Sequence, residues 1–237
     1  AGFFAMGAQY RKSLLSFLLV IGLIVVANLQ SLDNSFHYDD GHAVQRNPHI
    51  RELTNLPLFF VDTSLFSENP DYGMYRPLVL TTHALNYAVG EAAPTGYLAV
   101  NIAIHALVSG ICFVILLQLG FGLSLAILGS LLFGLHPVQS EVVNFVSARS
   151  ESLAACFVLL SFSAYLRSTR AAESSPEIRS QAYRILSLIA FALGLLSKAT
   201  AIVLPSILIG YAWLQKPRWR DLVAVQFPYW IVAVVYG

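Results

Sequence analysis

Ser13 to Leu32 reads SLLSFLLVIGLIVVANLQSL, twenty residues without one Asp, Glu, Lys or Arg. About 20 helical residues cross the roughly 30 Å of bilayer hydrocarbon, so this run predicts a membrane-spanning helix. It exceeds the about 7–15 residues of a signal-peptide core and has no A-x-A-like site, so it is read as an anchor. Arg11 and Lys12 precede it and set its start on the cytoplasmic side.

Working outward, further apolar runs lie at Tyr97 to Leu117, Gly122 to Leu135, Val142 to Leu166, Ala182 to Ser197, Ala199 to Leu214 and Asp221 to the end. Together they predict seven crossings. The 14-residue piece Pro77 to Gly90 is too short to cross and is expected along the membrane surface. With alternating helices, nine basic residues (Arg11, Lys12, Arg167, Arg170, Arg179, Arg184, Lys216, Arg218, Arg220) lie inside and five (Arg46, Arg51, Arg76, Arg149, Lys198) outside. That distribution predicts a cytoplasmic N-terminus, a loop from 33 to 96 outside and a cytoplasmic loop from Arg167 to Arg184 around Ser174-Ser175-Pro176.

Composition agrees. Of 237 residues, 57% are apolar and only 11% charged, against roughly 25% in soluble domains. A mean hydropathy of +0.66 and 14 basic against 13 acidic residues exclude a soluble enzyme, a disordered chain, a coiled coil and a basic nucleic-acid binder. Cys112 and Cys156 sit in apolar runs as packing residues, not as a disulfide framework. The fold class is therefore all-α integral membrane, with residues 1–237 as one membrane domain. Because the sequence stops inside an apolar run at Gly237, a longer protein is expected.

The ionisable residues concentrate at one end of these runs. Ala182 to Ser197 and Gly122 to Leu135, about 24 and 21 Å as helices, are shorter than the hydrocarbon core, so the polar residues at their outer ends are expected in a recess. These are His136, Glu141 and Lys198, with Arg149 and Glu151 in the next helix. A charge at membrane depth costs about 2.5–3.5 kcal/mol and usually faces a cavity. The bland readings are snorkelling for Lys198 and a structural Arg149–Glu151 ion pair. Asn101 and His105, four apart, share a helix face; they either line the cavity or only bond neighbouring helices. In Tyr38-Asp39-Asp40-Gly41 two carboxylates follow the first helix, suited to a general base and its partner or a divalent cation, unless they only shape an Asx-type turn. His37, His42 and His49 match no metal-ligand spacing.

Taken in order, Tyr38-Asp39-Asp40, Asn47-Pro48-His49-Ile50, Tyr75-Arg76-Pro77-Leu78, Asn101 to His105, Leu135-His136-Pro137-Val138 with Glu141, and Leu196-Ser197-Lys198 form a set. It resembles the transmembrane and tetratricopeptide-repeat O-mannosyltransferases and their bacterial relatives, in the GT-C glycosyltransferase superfamily. The similarity runs from about Phe36 to about Pro205. The resemblance implies a polytopic GT-C helix bundle that takes a sugar from a polyprenyl-phosphate carrier and gives it to a protein or glycan acceptor outside the cytoplasm. It implies Asp39 as base, Asp40 as its partner, Arg76, Arg149 and Lys198 as contacts to phosphate or sugar, and His136 and Glu141 lining the same recess. A bacterial plasma membrane is expected ahead of the endoplasmic reticulum, with a larger membrane complex as a further partner. Gln139 and Ala199 depart from an expected histidine and acidic residue, and Ser150-Glu151 from a Gly-Arg-x-Asp style ending. These departures motivate the rival reading, a non-catalytic subunit on the same scaffold. A transporter is the third class; the polar groups gather at one face, not at the midplane.

Overall fold

The computed structural model describes residues 2–174, 177–215 and 219–236; all its regular structure is helical, with no strand among the described residues. The expectations that involve Ser175, Pro176, Lys216, Arg218 and Gly237 fall outside the described residues.

Nine α-helices are described: α1 (Gly2–Ala27), α2 (Pro77–Gly90), α3 (Pro94–Gln118), α4 (Leu123–Gly134), α5 (Ser140–Asn144), α6 (Arg149–Ser174), α7 (Glu177–Ser197), α8 (Leu204–Leu214) and α9 (Trp219–Tyr236). Among the described residues four stretches are long and apolar enough to cross a membrane: Gln9–Ala27, Pro94–Gln118, Arg149–Ala172 and Glu177–Ser197. A fifth crossing results if α4 and its continuation Pro137–Asn144, bent by 50°, act as one span. The expected seven crossings are thereby corrected. An apolar run need not be a crossing: Ala199–Leu214 is too short and broken into a 3-10 turn and α8, and α9, with Pro228 inside, is not among the spans.

The central element is α3, with α1, α4 and α6 packed around it. Its polar residues Asn101, His105 and Ser109 recur every four positions, on one face, and all are buried. Tight approach comes from glycine: a Cβ on Gly134 would meet Ile24 Cδ1 and Ser109 Oγ at 2.4 Å. This lets the Ile24 side chain of α1 and the Ser109 hydroxyl of α3 seat directly against the α4 backbone.

α6 and α7 form a long antiparallel hairpin. Ser161 Oγ donates to the Ser187 carbonyl (2.7 Å) and Ser187 Oγ to the Ser161 carbonyl (2.8 Å), so each hydroxyl is satisfied by the facing backbone. The expected loop from Arg167 to Arg184 is mostly helix, with the Arg167 guanidinium 6.0 Å from the Tyr183 ring. Apolarity ends at Arg184 and Arg167, but backbone hydrogen bonding does not, so α7 has 21 residues rather than 16. At about 31 Å it reaches across the hydrocarbon, and a short α7 is not what recesses Lys198. α4, with 12 residues, is short as read.

Residues 34–76 fold into a chain of short turns over one end of the bundle. Ile50, Phe59 and Phe66 pack with Leu80, Ala84, Tyr97, Leu98 and Val146 into a core that welds this loop to α2, α3 and the α5–α6 turn. Asn47, wholly buried, closes the loop: its Nδ2 donates to the carbonyls of Ala43, Leu65 and Phe66, and its Oδ1 accepts from His49 N at 2.9 Å.

Candidate functional site

The site begins at a strained residue. Tyr38 has φ +50°, a left-handed conformation costing a non-glycine residue about 1–2 kcal/mol. After it the two adjacent carboxylates part. Asp39 has a 78% exposed side chain, whereas Asp40 is 0% exposed. Asp40 accepts backbone N–H bonds from His37 (3.2 Å), Val146 (3.2 Å) and Ser147 (2.7 Å), tying the loop to the α5–α6 turn. Its two oxygens are spent on structure.

Asp39 lines a cavity of about 760 Å³. From α2 comes Arg76, set at the helix start by Pro77, with Nη1 donating to Ser150 Oγ (3.2 Å) and its guanidinium 5.4 Å from the Phe66 ring. Burial lowers its pKa, while Tyr236 and Asp39 act the other way; an arginine remains charged regardless. From α5 comes Glu141 and from the first turn of α6 Glu151. Lys198 follows α7 in an extended conformation and pairs with Glu151. Burial, seconded by Arg76, draws the Lys198 ammonium below the ordinary lysine range, and Glu141 opposes the shift. Its ion pair with Glu151 holds it at the cavity, which it lines.

Asp39, Arg76, Glu141, Glu151 and Lys198 are thus brought round one cavity, and the remaining expected site residues are not among those lining it. Arg149 is 0% exposed and is a clamp: Nε donates to Asn101 Oδ1 (2.8 Å), Nη1 to Asn86 Oδ1 (2.7 Å) and Thr82 Oγ1 (3.2 Å), and Nη2 to the Tyr97 carbonyl (2.9 Å). The Arg149–Glu151 ion pair weighed above does not form. Asn101 also donates to the Phe145 carbonyl (2.8 Å), and His105 Nε2 meets the Gly134 carbonyl (2.9 Å), so both bond neighbouring elements. His136, exposed, caps the turn after α4 through Val138 N.

His42, weighed above only as a metal ligand, also lines the cavity, and neither Ser67 behind it nor the aromatic rim is an expected site residue. His42 Nε2 lies 3.6 Å from Asp39 Oδ1, and its Nδ1 lies 2.9 Å from Ser67 Oγ. Tyr38 meets Phe145 edge-on at 5.3 Å, and Tyr72 lies 5.4 Å from the His42 ring. The i, i+3 spacing of Asp39 and His42 was a usable signal; Ser67, 25 residues on, carried none.

The chemistry available is that of four carboxylates, Asp39, Asp71, Glu141 and Glu151, set round one cavity with the cations Arg76 and Lys198. Asp39 and Asp40, weighed above as a base with its partner or as ligands of a divalent cation, diverge: Asp39 lines the cavity, and Asp40 is wholly buried outside its lining. Among the described residues no three His, Cys, Asp or Glu side chains group as a metal site.

Fold and site together define an all-helical integral membrane protein with a polar, two-signed cavity at one end of its bundle. The chain is similar to protein O-mannosyl-transferases: 33% identical to TMTC3 of Homo sapiens over 153 residues (63% of this chain, 17% of the relative), 31% to TMTC4 of Homo sapiens over 202 residues (78% and 27%) and 29% to TMTC1 of Homo sapiens over 201 residues (81% and 23%). It spans about a quarter or less of the length of these relatives. No family model and no solved structure matches it.

Proposed function

We propose that this chain carries the donor site of a GT-C-type membrane glycosyltransferase, moving a mannosyl unit from a polyprenyl-phosphate carrier to a hydroxyl of a protein or glycan acceptor on the extracytoplasmic side. The observation that carries the reading is the convergence of Asp39 with Arg76 and Lys198 on one cavity of about 760 Å³, roomy enough for a sugar and a phosphate. The relatives' printed activity supplies the sugar.

In this reading the acceptor oxygen bonds to the sugar's C1 while the C1–O bond to phosphate breaks. Asp39 takes the hydroxyl proton, and the phosphate leaves with the bonding electron pair. Arg76 and Lys198 offset the charge that develops on it, the larger part of the barrier lowering in such sites. Lys198 exchanges its Glu151 partner for a phosphate oxygen, and the first turn of the 26-residue α6 adds the positive end of a helix dipole. The loop over residues 34–76 faces the extracytoplasmic space and Arg11 and Lys12 the cytoplasm. The expectation of a bacterial membrane gains nothing from these vertebrate relatives.

Purified full-length protein, given labelled mannose on a polyprenyl phosphate and a serine- and threonine-bearing acceptor, is expected to transfer the sugar. Donor binding without transfer to any acceptor offered would favour the non-catalytic subunit.

A further inference from the structure

The geometry points to His42 as a positioning residue that holds Asp39 in its base-competent orientation, with Ser67 fixing the histidine's tautomer. The inference rests on the reading of Asp39 as the base.

Ser67 is 0% exposed, and its Oγ accepts a hydrogen bond from Asn69 N at 3.2 Å. A hydroxyl has one proton to give, and here its facing partner is His42 Nδ1 at 2.9 Å. Were Nδ1 protonated, Ser67 Oγ would accept twice and its own proton would be buried with no acceptor, at a cost of about 1–3 kcal/mol. Ser67 therefore donates, Nδ1 accepts, and the ring proton sits on Nε2. That N–H faces Asp39 Oδ1 at 3.6 Å, just beyond hydrogen-bond length, a gap that a small turn of the exposed Asp39 side chain closes when substrate fills the cavity. One carboxylate oxygen is thereby directed to the histidine, and the other is left for the acceptor hydroxyl. The ring itself is held: the Tyr72 ring lies 5.4 Å away, and the His42 carbonyl accepts from Glu68 N at 3.0 Å. Asp39, exposed and otherwise rotatable, gains a fixed neighbour on a braced turn.

The test uses the full-length protein and four variants, His42→Phe, His42→Gln, Ser67→Ala and Asp39→Asn. His42→Phe keeps a ring against Tyr72 but donates nothing; kcat is expected to fall about 10- to 100-fold, the scale of a misplaced reacting group, with the donor KM unchanged. His42→Gln, whose Nε2 still donates, restores most of the loss. In the Asp39→Asn background His42→Phe should cost nothing further. Nitrogen chemical shifts of labelled His42 give a readout independent of turnover: a proton on Nε2 in the native protein and a mixture in Ser67→Ala. A Nδ1-protonated ring in the native protein, a wild-type kcat for folded His42→Phe, or an undiminished effect of it in Asp39→Asn would each overturn the inference. Wild-type turnover by Asp39→Asn alone would instead remove the base assignment beneath it.

Discussion

Arg149 shows how the structure redirects a residue from chemistry to architecture. Replacing it with Met keeps a long side chain but strips the donor from four acceptors, Asn101 Oδ1, Asn86 Oδ1, Thr82 Oγ1 and the Tyr97 carbonyl. Two of these bonds, to Asn101 and Tyr97, are fully buried, and each orphaned acceptor costs about 1–3 kcal/mol. The contact over the Tyr97 ring at 5.6 Å is lost as well. Met recovers some apolar packing and removes a buried charge, so the net loss is about 3–4 kcal/mol, in the range of a broken buried polar pair. In a protein of this size about 2–4 °C of Tm go with each kcal/mol, which gives a fall of about 10 °C. Arg149→Lys, with a point charge in place of a fork, should fall by about half as much. Thermal unfolding of the purified protein in detergent reads this out, with donor binding measured below both transitions and expected to be intact. A Met variant that melts with the wild type but no longer binds donor would return Arg149 to the site and refute the clamp.

Three further outcomes follow from single residues. Asp40→Asn puts an amide N–H against one of three backbone donors, and should lower stability by about 2 kcal/mol while retaining measurable transfer in the folded fraction; a stable, inactive Asp40→Asn would make it a partner of the base after all. His83 on α2 is buried with its Nε2 unpartnered, and burial, with Arg149 beside it, holds its pKa well below 6.5, so only the unfolded state gains its proton. Its contribution to stability is complete above pH 6.5 and lost below it at about 1.4 kcal/mol per pH unit, and His83→Leu should flatten that acid limb of a pH–stability curve. Cysteines at Val61 and Ile178, both about 80% exposed, should differ in intact cells: an impermeant thiol reagent is expected to label the first alone, and the opposite pattern would invert the proposed orientation.

Much of the fold was legible because membrane helices announce themselves by composition. α2 has the bounds its sequence suggests, Pro77–Gly90: a proline opens it, and Glu91, at φ +49°, ends it. Helix ends in charged sequence were not legible: α7 runs on through Arg184 and Arg179, since its hydrogen bonds need no apolar side chains. Nor was the break at Phe145–Ala148, hidden inside a run that reads as one helix from Val142. Arg76, Glu141 and Lys198 line the cavity as the sequence suggests, because a polar residue beside an apolar run has few places to go. Asp39 and Asp40 were indistinguishable in sequence; what separates them is the left-handed Tyr38 and the distant N–H groups of Val146 and Ser147, which only folding brings near. The same holds for Arg149 and Asn101, whose partners lie on other helices.

The most direct measurement is sugar transfer and donor binding by the full-length protein beside Asp39→Asn and Lys198→Ala. Asn nearly preserves the shape of Asp39 and its turn, so the only loss is the basic carboxylate, and a lost general base costs about 10²–10⁴ in rate. Lys198→Ala should weaken donor binding and turnover together, because phosphate is present before and during the reaction. The wild type is expected to transfer mannose, Asp39→Asn to bind donor normally and turn over at least about 100-fold more slowly, and Lys198→Ala to bind poorly. Undiminished transfer by Asp39→Asn would overturn the base assignment.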